Sequence, residues 1–138
     1  MNYKEIIERE GDYHEWTYTT KNGQNYECWM YRHSHSKHWC GYIAITQDNK
    51  WWGKQYIELP IHVHGSLTYG LGNDGVYGFD CAHWRDMTFD ENFQPFNEDT
   101  VYRDKAYVID ECEKMAEQFS AWSISGERKE KIDQILDN

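Results

Sequence analysis

The sequence is poor in the side chains that usually fill a protein core. Its 138 residues include four Leu, ten Ile, four Val and five Phe, against 24 acidic and 14 basic side chains. At a formal charge of -10, so little aliphatic content would ordinarily mark a disordered chain. Basic residues are too few for a nucleic-acid binder, because a phosphate backbone attracts Lys and Arg and is repelled by an acidic surface. The four cysteines, Cys28, Cys40, Cys81 and Cys112, form no Cys-x-x-Cys pair, which excludes a zinc ribbon and a thioredoxin-type motif. Buried thiols in a reducing compartment are the expectation. There is no Gly-x-Ser-x-Gly, P-loop, Rossmann glycine pattern or His-Glu-x-x-His, so the common hydrolase, nucleotide and metalloprotease signatures are missing. Met1 to Glu8 contains no apolar run. The expectation is a cytoplasmic protein without signal peptide or membrane span.

Aromatic residues make up the deficit. Seven Trp and eleven Tyr can each bury on the order of 150–250 Å² while keeping a polar atom at the surface. A core built on them supports one domain over residues 1–138. The charge is uneven: residues 1–85 carry a net -2 and residues 86–138 a net -8.

Lys4 to Glu10 reads as a short helix with Ile6 and Ile7 inward, closed by Gly11. Trp16 and Tyr18 alternate with Glu15, Thr17 and Thr19, a period of two that predicts a strand. Asn22-Gly23 predicts a type I′ hairpin. The return strand runs from Asn25 to His33, and a third from His38 to Thr46. Gln47 to Gly53 reads as a loop in which Trp51-Trp52 is a hydrophobic plug or, alternatively, an exposed contact patch. A fourth strand is predicted from Ile61 to Tyr69 with Pro60 at its edge, and a fifth from Val76 to Asp80 after a glycine-rich turn. Residues 84–102 have no period and read as an acidic loop. From Asp104 to Trp122 the pattern becomes helical, with Ile109, Cys112, Met115, Ala116, Phe119 and Trp122 on one stripe. Ser125 can cap a short final helix. The fold class expected is α+β: a mainly antiparallel sheet of about five strands packed against a long C-terminal helix.

Candidate chemistry gathers around the fourth and fifth strands. Alternation would place His62, His64, Ser66 and Thr68 on one face. Cys81-Ala82-His83-Trp84-Arg85-Asp86 then brings a further His and carboxylate near. His62, His64, His83 and Asp80 or Asp86 have the composition of a zinc or iron site. A hydrogen-bonded structural cluster is the preferred reading, since a His paired with a carboxylate needs no catalytic role. His33, His35, His38 and Cys40 match no metal spacing, and Cys81 with His83 is a weak candidate for a thiol nucleophile. No metal and no cofactor are expected.

The runs His64-Gly65-Ser66-Leu67-Thr68-Tyr69 and Gly78-Phe79-Asp80-Cys81-Ala82-His83 with Asp86, followed by Ala106-Tyr107 through Glu117-Gln118, resemble a family of small bacteriophage and prophage proteins. That family reads His-Gly-Gly-Leu-Thr-Tyr/Phe, then Gly-Phe-Asp-Cys-Ala-His-x-x-Asp. The resemblance covers roughly residues 39–122. Ser66 departs from the pattern where the second Gly stands, and His62 departs where the family has an acidic residue, so His62 is not a shared ligand. The resemblance implies a viral accessory protein acting in a bacterial cell. The expected function is binding and inhibition of a host protein, such as a nucleic-acid-binding defence effector of the CRISPR type. Acidic residues Asp90, Glu91, Glu98 and Asp99 would stand in for phosphates, with Trp51 and Trp52 as aromatic contacts. The alternative is a small enzyme or ligand- or nucleotide-binding domain using His64, Asp80, His83 and Asp86.

Overall fold

The computed structural model describes residues 2–121. Trp122 and the final helix expected after Ser125 lie outside them. The order of elements is α1 (Tyr3–Glu10), β1 (Tyr13–Thr19), β2 (Asn25–Arg32), β3 (Trp39–Ala44), β4 (Val76–Asp80) and α2 (Lys105–Ala121), with a 3-10 turn at Tyr56–Glu58. The four strands form one antiparallel sheet in chain order, and α2 packs on β2 and β3. The class is α+β, as the periodicities indicate.

Helix α1 begins where the Asn2 side chain accepts the Glu5 N–H at 3.1 Å and stops at Gly11, whose N–H still donates to the Ile7 carbonyl and whose φ of 81° then turns the chain out of the helix. The β1–β2 hairpin is not a type I′ turn. Gly23 has φ 86°, but Asn22 is not among the residues of positive φ. The loop spans residues 20–24, with Thr20 N–H on the Gln24 carbonyl and Gly23 N–H on the Thr20 carbonyl. Asn22 is held instead by the end of α2: its amide donates to the Ser120 carbonyl at 3.2 Å, and its carbonyl accepts from Ser120 Oγ and, within the turn, from Thr20 Oγ1. The turn is therefore shaped by the end of α2.

Strand register sorts the side chains onto two faces. Cys28, Met30, Trp39, Ile43, Tyr77 and Phe79 are fully buried, and they meet Val108, Cys112, Met115, Ala116 and Phe119 of α2. Gly41 is required at the centre of this contact, because a Cβ there would sit 2.7 Å from Cys112 Sγ and 2.8 Å from the Phe79 ring. The edge of β1 is tied to α2 through Trp16 Nε1 to Glu113 (3.2 Å) and the Tyr18 hydroxyl to Glu117 (3.2 Å).

Residues 61–69 do not form the expected strand. Among the described residues the sheet has four strands, and this segment touches it by one bridge, Tyr69 to Gly78. Two left-handed residues, Gly65 (φ 65°) and Ser66 (φ 71°), break any extended run. The backbone of the segment is satisfied by side chains of α2. The Gln118 amide accepts from His62 N–H and donates to the His62 carbonyl, both at 2.7 Å, and Glu111 accepts the His64 N–H at 2.9 Å. The alternation that would have put His62, His64, Ser66 and Thr68 on one face is thus lost.

Trp51 and Trp52 are half-buried and pack against the main core. Trp52 lies over Gly75, where a Cβ would approach its ring to 2.4 Å. Their packing is that of a plug, with part of each ring left at the surface. A smaller core of Ile7, Met87 and Phe89, flanked by Tyr3, Phe93 and Tyr102, joins α1 to residues 84–102. Among the described residues no helix is long and apolar enough to cross a membrane.

Candidate functional site

Asp86 stands at the neck of the irregular segment 84–102. It pairs with Val101 in a parallel bridge, flanked by Met87 N–H on the Val101 carbonyl and Val101 N–H on the Arg85 carbonyl. Its carboxylate, 1% exposed, accepts from three donors: His64 Nε2 (2.8 Å to Oδ2), Arg103 Nε (2.9 Å to Oδ1) and the His83 N–H (3.0 Å). Burial by itself pushes this carboxyl upward, but the bonds from His64, Arg103 and the His83 backbone together hold it below its usual value. His64 Nδ1 lies 2.7 Å from the Tyr107 hydroxyl, and the Arg103 guanidinium sits over the Tyr107 ring at 5.2 Å. One buried carboxylate therefore binds together segment 61–69, the neck of the loop and the first turns of α2.

This arrangement limits acid–base chemistry. Both ring nitrogens of His64 are engaged inside the protein, so it has no lone pair to offer a substrate. The Tyr107 hydroxyl is shifted upward, first by burial and then by Glu111, which is the opposite of what an activated phenolate needs. Cys81 is 1% exposed, and burial raises its thiol well above the ordinary range. A thiol so buried and so hard to ionise lacks the exposed thiolate that a Cys81–His83 nucleophile would need.

The structure brings His64, His83 and Asp86 together, with Asp80 alongside. The His64 and His83 rings meet edge to face at 5.8 Å. His83 Nε2 packs against Gly65, where a Cβ would fall 2.0 Å away, and makes no hydrogen bond among the described residues. Asp80 Oδ1 is 3.5 Å from it, near enough for ionic attraction, and that oxygen accepts the Ala82 N–H at 3.0 Å. His62 is exposed and joins the assembly only through its backbone. Among the described residues no group of three or more His, Cys, Asp or Glu side chains is arranged to hold a metal ion. His33 and His38 form a polar knot: Ser36 Oγ lies 3.0 Å from His33 Nδ1 and 2.9 Å from His38 Nδ1. The rings of His33 and His38 stack at 5.0 Å.

Above the neck, the loop is anchored by Phe89 and Phe93 in the smaller core and displays the rest. Phe96 is 70% exposed on it, and Trp84, two residues before the neck, is 84% exposed with the Arg85 guanidinium 5.1 Å from its ring. Glu91, Glu98 and Asp99 are exposed as well. Asp90 differs from them: it is half-buried, and its Oδ1 accepts the N–H groups of Asn92 (2.8 Å) and Gln94 (3.0 Å). Asp90 therefore shapes the loop. Phe96, Asp90 and Glu91 line an open groove of about 460 Å³ with His35, Ser36 and Phe89. Sequence reasoning named the acidic residues but missed Trp84 as an exposed anchor, and it missed Tyr107 and Arg103 as partners of His64 and Asp86.

No protein family, curated protein or solved structure matches the chain.

Proposed function

We propose that the protein is a non-enzymatic accessory factor of phage or prophage origin that binds a host protein and inhibits it. The binding part is carried by one observation: Phe96, 70% exposed, lines a groove with Asp90 and Glu91 and is followed by the exposed Glu98 and Asp99 on a loop whose neck is clamped by a buried carboxylate, while Trp84, 84% exposed, stands just before that neck with the Arg85 guanidinium 5.1 Å from its ring. Exposed aromatics on a preformed support lose little conformational freedom on binding and make good anchors. Surrounding carboxylates steer a basic partner and repel nucleic acid. The viral origin and the host target rest on the Gly78-Phe79-Asp80-Cys81-Ala82-His83 resemblance, and the target class that suits an acidic loop is a defence effector with a basic nucleic-acid groove.

A second reading, a small enzyme or ligand-binding domain, draws on the Asp86–His64–Tyr107 chain. It requires Tyr107 to leave His64, since both ring nitrogens are otherwise occupied.

The test is plaque formation by a restricted phage on bacteria that carry an active nucleic-acid-targeting defence and express the protein. The parent should restore plaques, and a Trp84→Ser, Phe96→Ser variant of unchanged melting temperature should not. Equal restoration by the variant would remove the loop from the function.

A further inference from the structure

The face of the sheet turned away from α2 carries a second, unassigned surface. Register places Tyr13 opposite Tyr31, Glu15 opposite Trp29 and Thr17 opposite Glu27. Trp29 faces Tyr42 and Tyr31 faces Cys40, while Tyr42 faces Gly78 and Cys40 faces Asp80. Tyr42 is nearly parallel to both Trp29 (5.8 Å, 12°) and Tyr31 (5.6 Å, 10°), and Tyr69 meets it edge-on at 5.9 Å. Gly78 makes this possible, because a Cβ there would lie 2.4 Å from the Tyr42 ring. Tyr13, Tyr31 and Tyr69 remain 38–56% exposed.

The charges on this face are of one sign. Glu15, Glu27 and Asp80 belong to it, and no strand residue on it is Lys, Arg or His. Each carboxylate is held in place by a neutral donor: Tyr13 hydroxyl to Glu15 (2.9 Å), Thr17 hydroxyl to Glu27 (3.0 Å) and Ala82 N–H to Asp80 (3.0 Å). Among the described residues no Lys or Arg pairs with Glu15, Glu27 or Asp80, and the nearest nitrogen base is His83, whose Nε2 lies 3.5 Å from Asp80 Oδ1. A second copy of the chain would oppose carboxylate to carboxylate, and a nucleic acid would oppose them to phosphate. Aromatic rings beside fixed carboxylates suit guanidinium and ammonium groups, which gain from π-faces and acceptors together.

We propose that this face binds an arginine- or lysine-rich segment of a protein partner. The inference deepens the binding reading and rests on it for the kind of partner, but it uses different residues. The Tyr13, Tyr31 and Asp80 end of the face lies beside loop 33–38, whose Ser36 lines the groove with Phe96, so one basic partner can engage both.

The probe is a fluorescein-labelled oligo-arginine peptide titrated into the full chain near physiological ionic strength and read by anisotropy. Glu15→Gln with Glu27→Gln should weaken binding about tenfold, whereas Glu5→Gln with Glu8→Gln, the same charge change on exposed α1, should cost less than about twofold. Tyr31→Leu, which leaves charge alone, should also weaken it. Equal losses from the two glutamate pairs, or full binding by Tyr31→Leu, would overturn the proposal, because attraction would then be to net charge alone. Binding of a neutral glucan oligomer that is lost in Tyr31→Leu but indifferent to both pairs would assign the face to carbohydrate and overturn it too. Glu98→Gln with Asp99→Gln probes the loop separately: a loss there with intact binding by the face variants sinks this inference and spares the loop.

Discussion

Tyr107, in the first turns of α2, and His64, in the segment that fails to become a strand, meet at 2.7 Å between hydroxyl and Nδ1. His64 then passes the connection to Asp86 through Nε2 at 2.8 Å. Three stretches with no periodic structure in common are thus fastened by one histidine, which has a donor or acceptor committed on each side. The chain has the outward form of a catalytic relay, but its acidic end is buried and salt-bridged and its phenol is harder to ionise than usual.

A clamp and a relay differ in what mutation costs. Asp86→Ala would strand the Arg103 and His64 donors in a buried place, and about 3–5 kcal/mol of stability should be lost. Tyr107→Phe removes one hydrogen bond and should cost about 1 kcal/mol. Urea unfolding of both variants measures this. Unfolding midpoints equal to the parent's would mean that the cluster does not hold the fold.

The clamp should also show in acid. The Asp86 carboxyl is held below its usual 3.8: burial opposes this, and the bonds from His64, Arg103 and the His83 N–H prevail. A carboxyl depressed in the folded state contributes stability that is complete above its unfolded value and drains away as pH falls through its folded one. The stability gap between parent and Asp86→Asn should therefore be constant near neutral pH and narrow as the pH falls below the usual carboxyl value of 3.8. A gap that stays the same at low pH would show that the pairing adds nothing to stability.

Gly65 and Gly23 separate packing from conformation. Both have positive φ, but a Cβ on Gly65 meets the His83 ring at 2.0 Å while one on Gly23 meets nothing within 4 Å. Gly23→Ala should cost about 1 kcal/mol and Gly65→Ala at least about 2 kcal/mol, since the ring must also move. Ser66, at φ 71° where the resembled pattern has Gly, is the converse case. Ser66→Gly should be neutral or stabilising by up to about 1 kcal/mol. Thermal melting of the three variants decides it, and equal costs at Gly65 and Gly23 would deny the His83 contact.

Local chemistry explains what was readable in advance. Val76–Asp80 was bounded correctly because the glycine-rich turn before it marks where the strand starts. Cys112, Met115, Ala116 and Phe119 show their helical stripe without ambiguity. Residues 61–69 misled because His-x-His alternation resembles a strand, while the hydrogen bonds that replace the ladder come from Glu111 and Gln118, over 45 positions away. The same distance hid half of the site. His64, His83 and Asp86 were visible as a local cluster of polar residues, but Tyr107 and Arg103 carry no local sign of their role. Trp51 and Trp52 were legible only as two alternatives, because a residue half-buried against the core carries features of both.

The acidic loop should divide by function. Charge reversal of Glu91, Glu98 and Asp99 to Lys should slow association with the partner severalfold, more at low salt, and leave melting nearly unchanged. Asp90→Lys should instead lower the melting temperature, because its Oδ1 closes the turn through Asn92 and Gln94. Stopped-flow association and melting on the same four variants check both halves. Salt-independent association would remove electrostatic steering from the account.

The central claim, that the clamped loop is the surface that meets a host protein, is tested most directly by photo-crosslinking in the infected bacterium. Benzoylphenylalanine in place of Phe96 or Trp84 should yield one discrete host-protein adduct, lost on Glu91→Lys, Glu98→Lys, Asp99→Lys reversal. The same probe at Ile57, which is 72% exposed outside the loop, should yield none. Adducts equally strong from Ile57, or none from Phe96 and Trp84 while plaques are still restored, would contradict it.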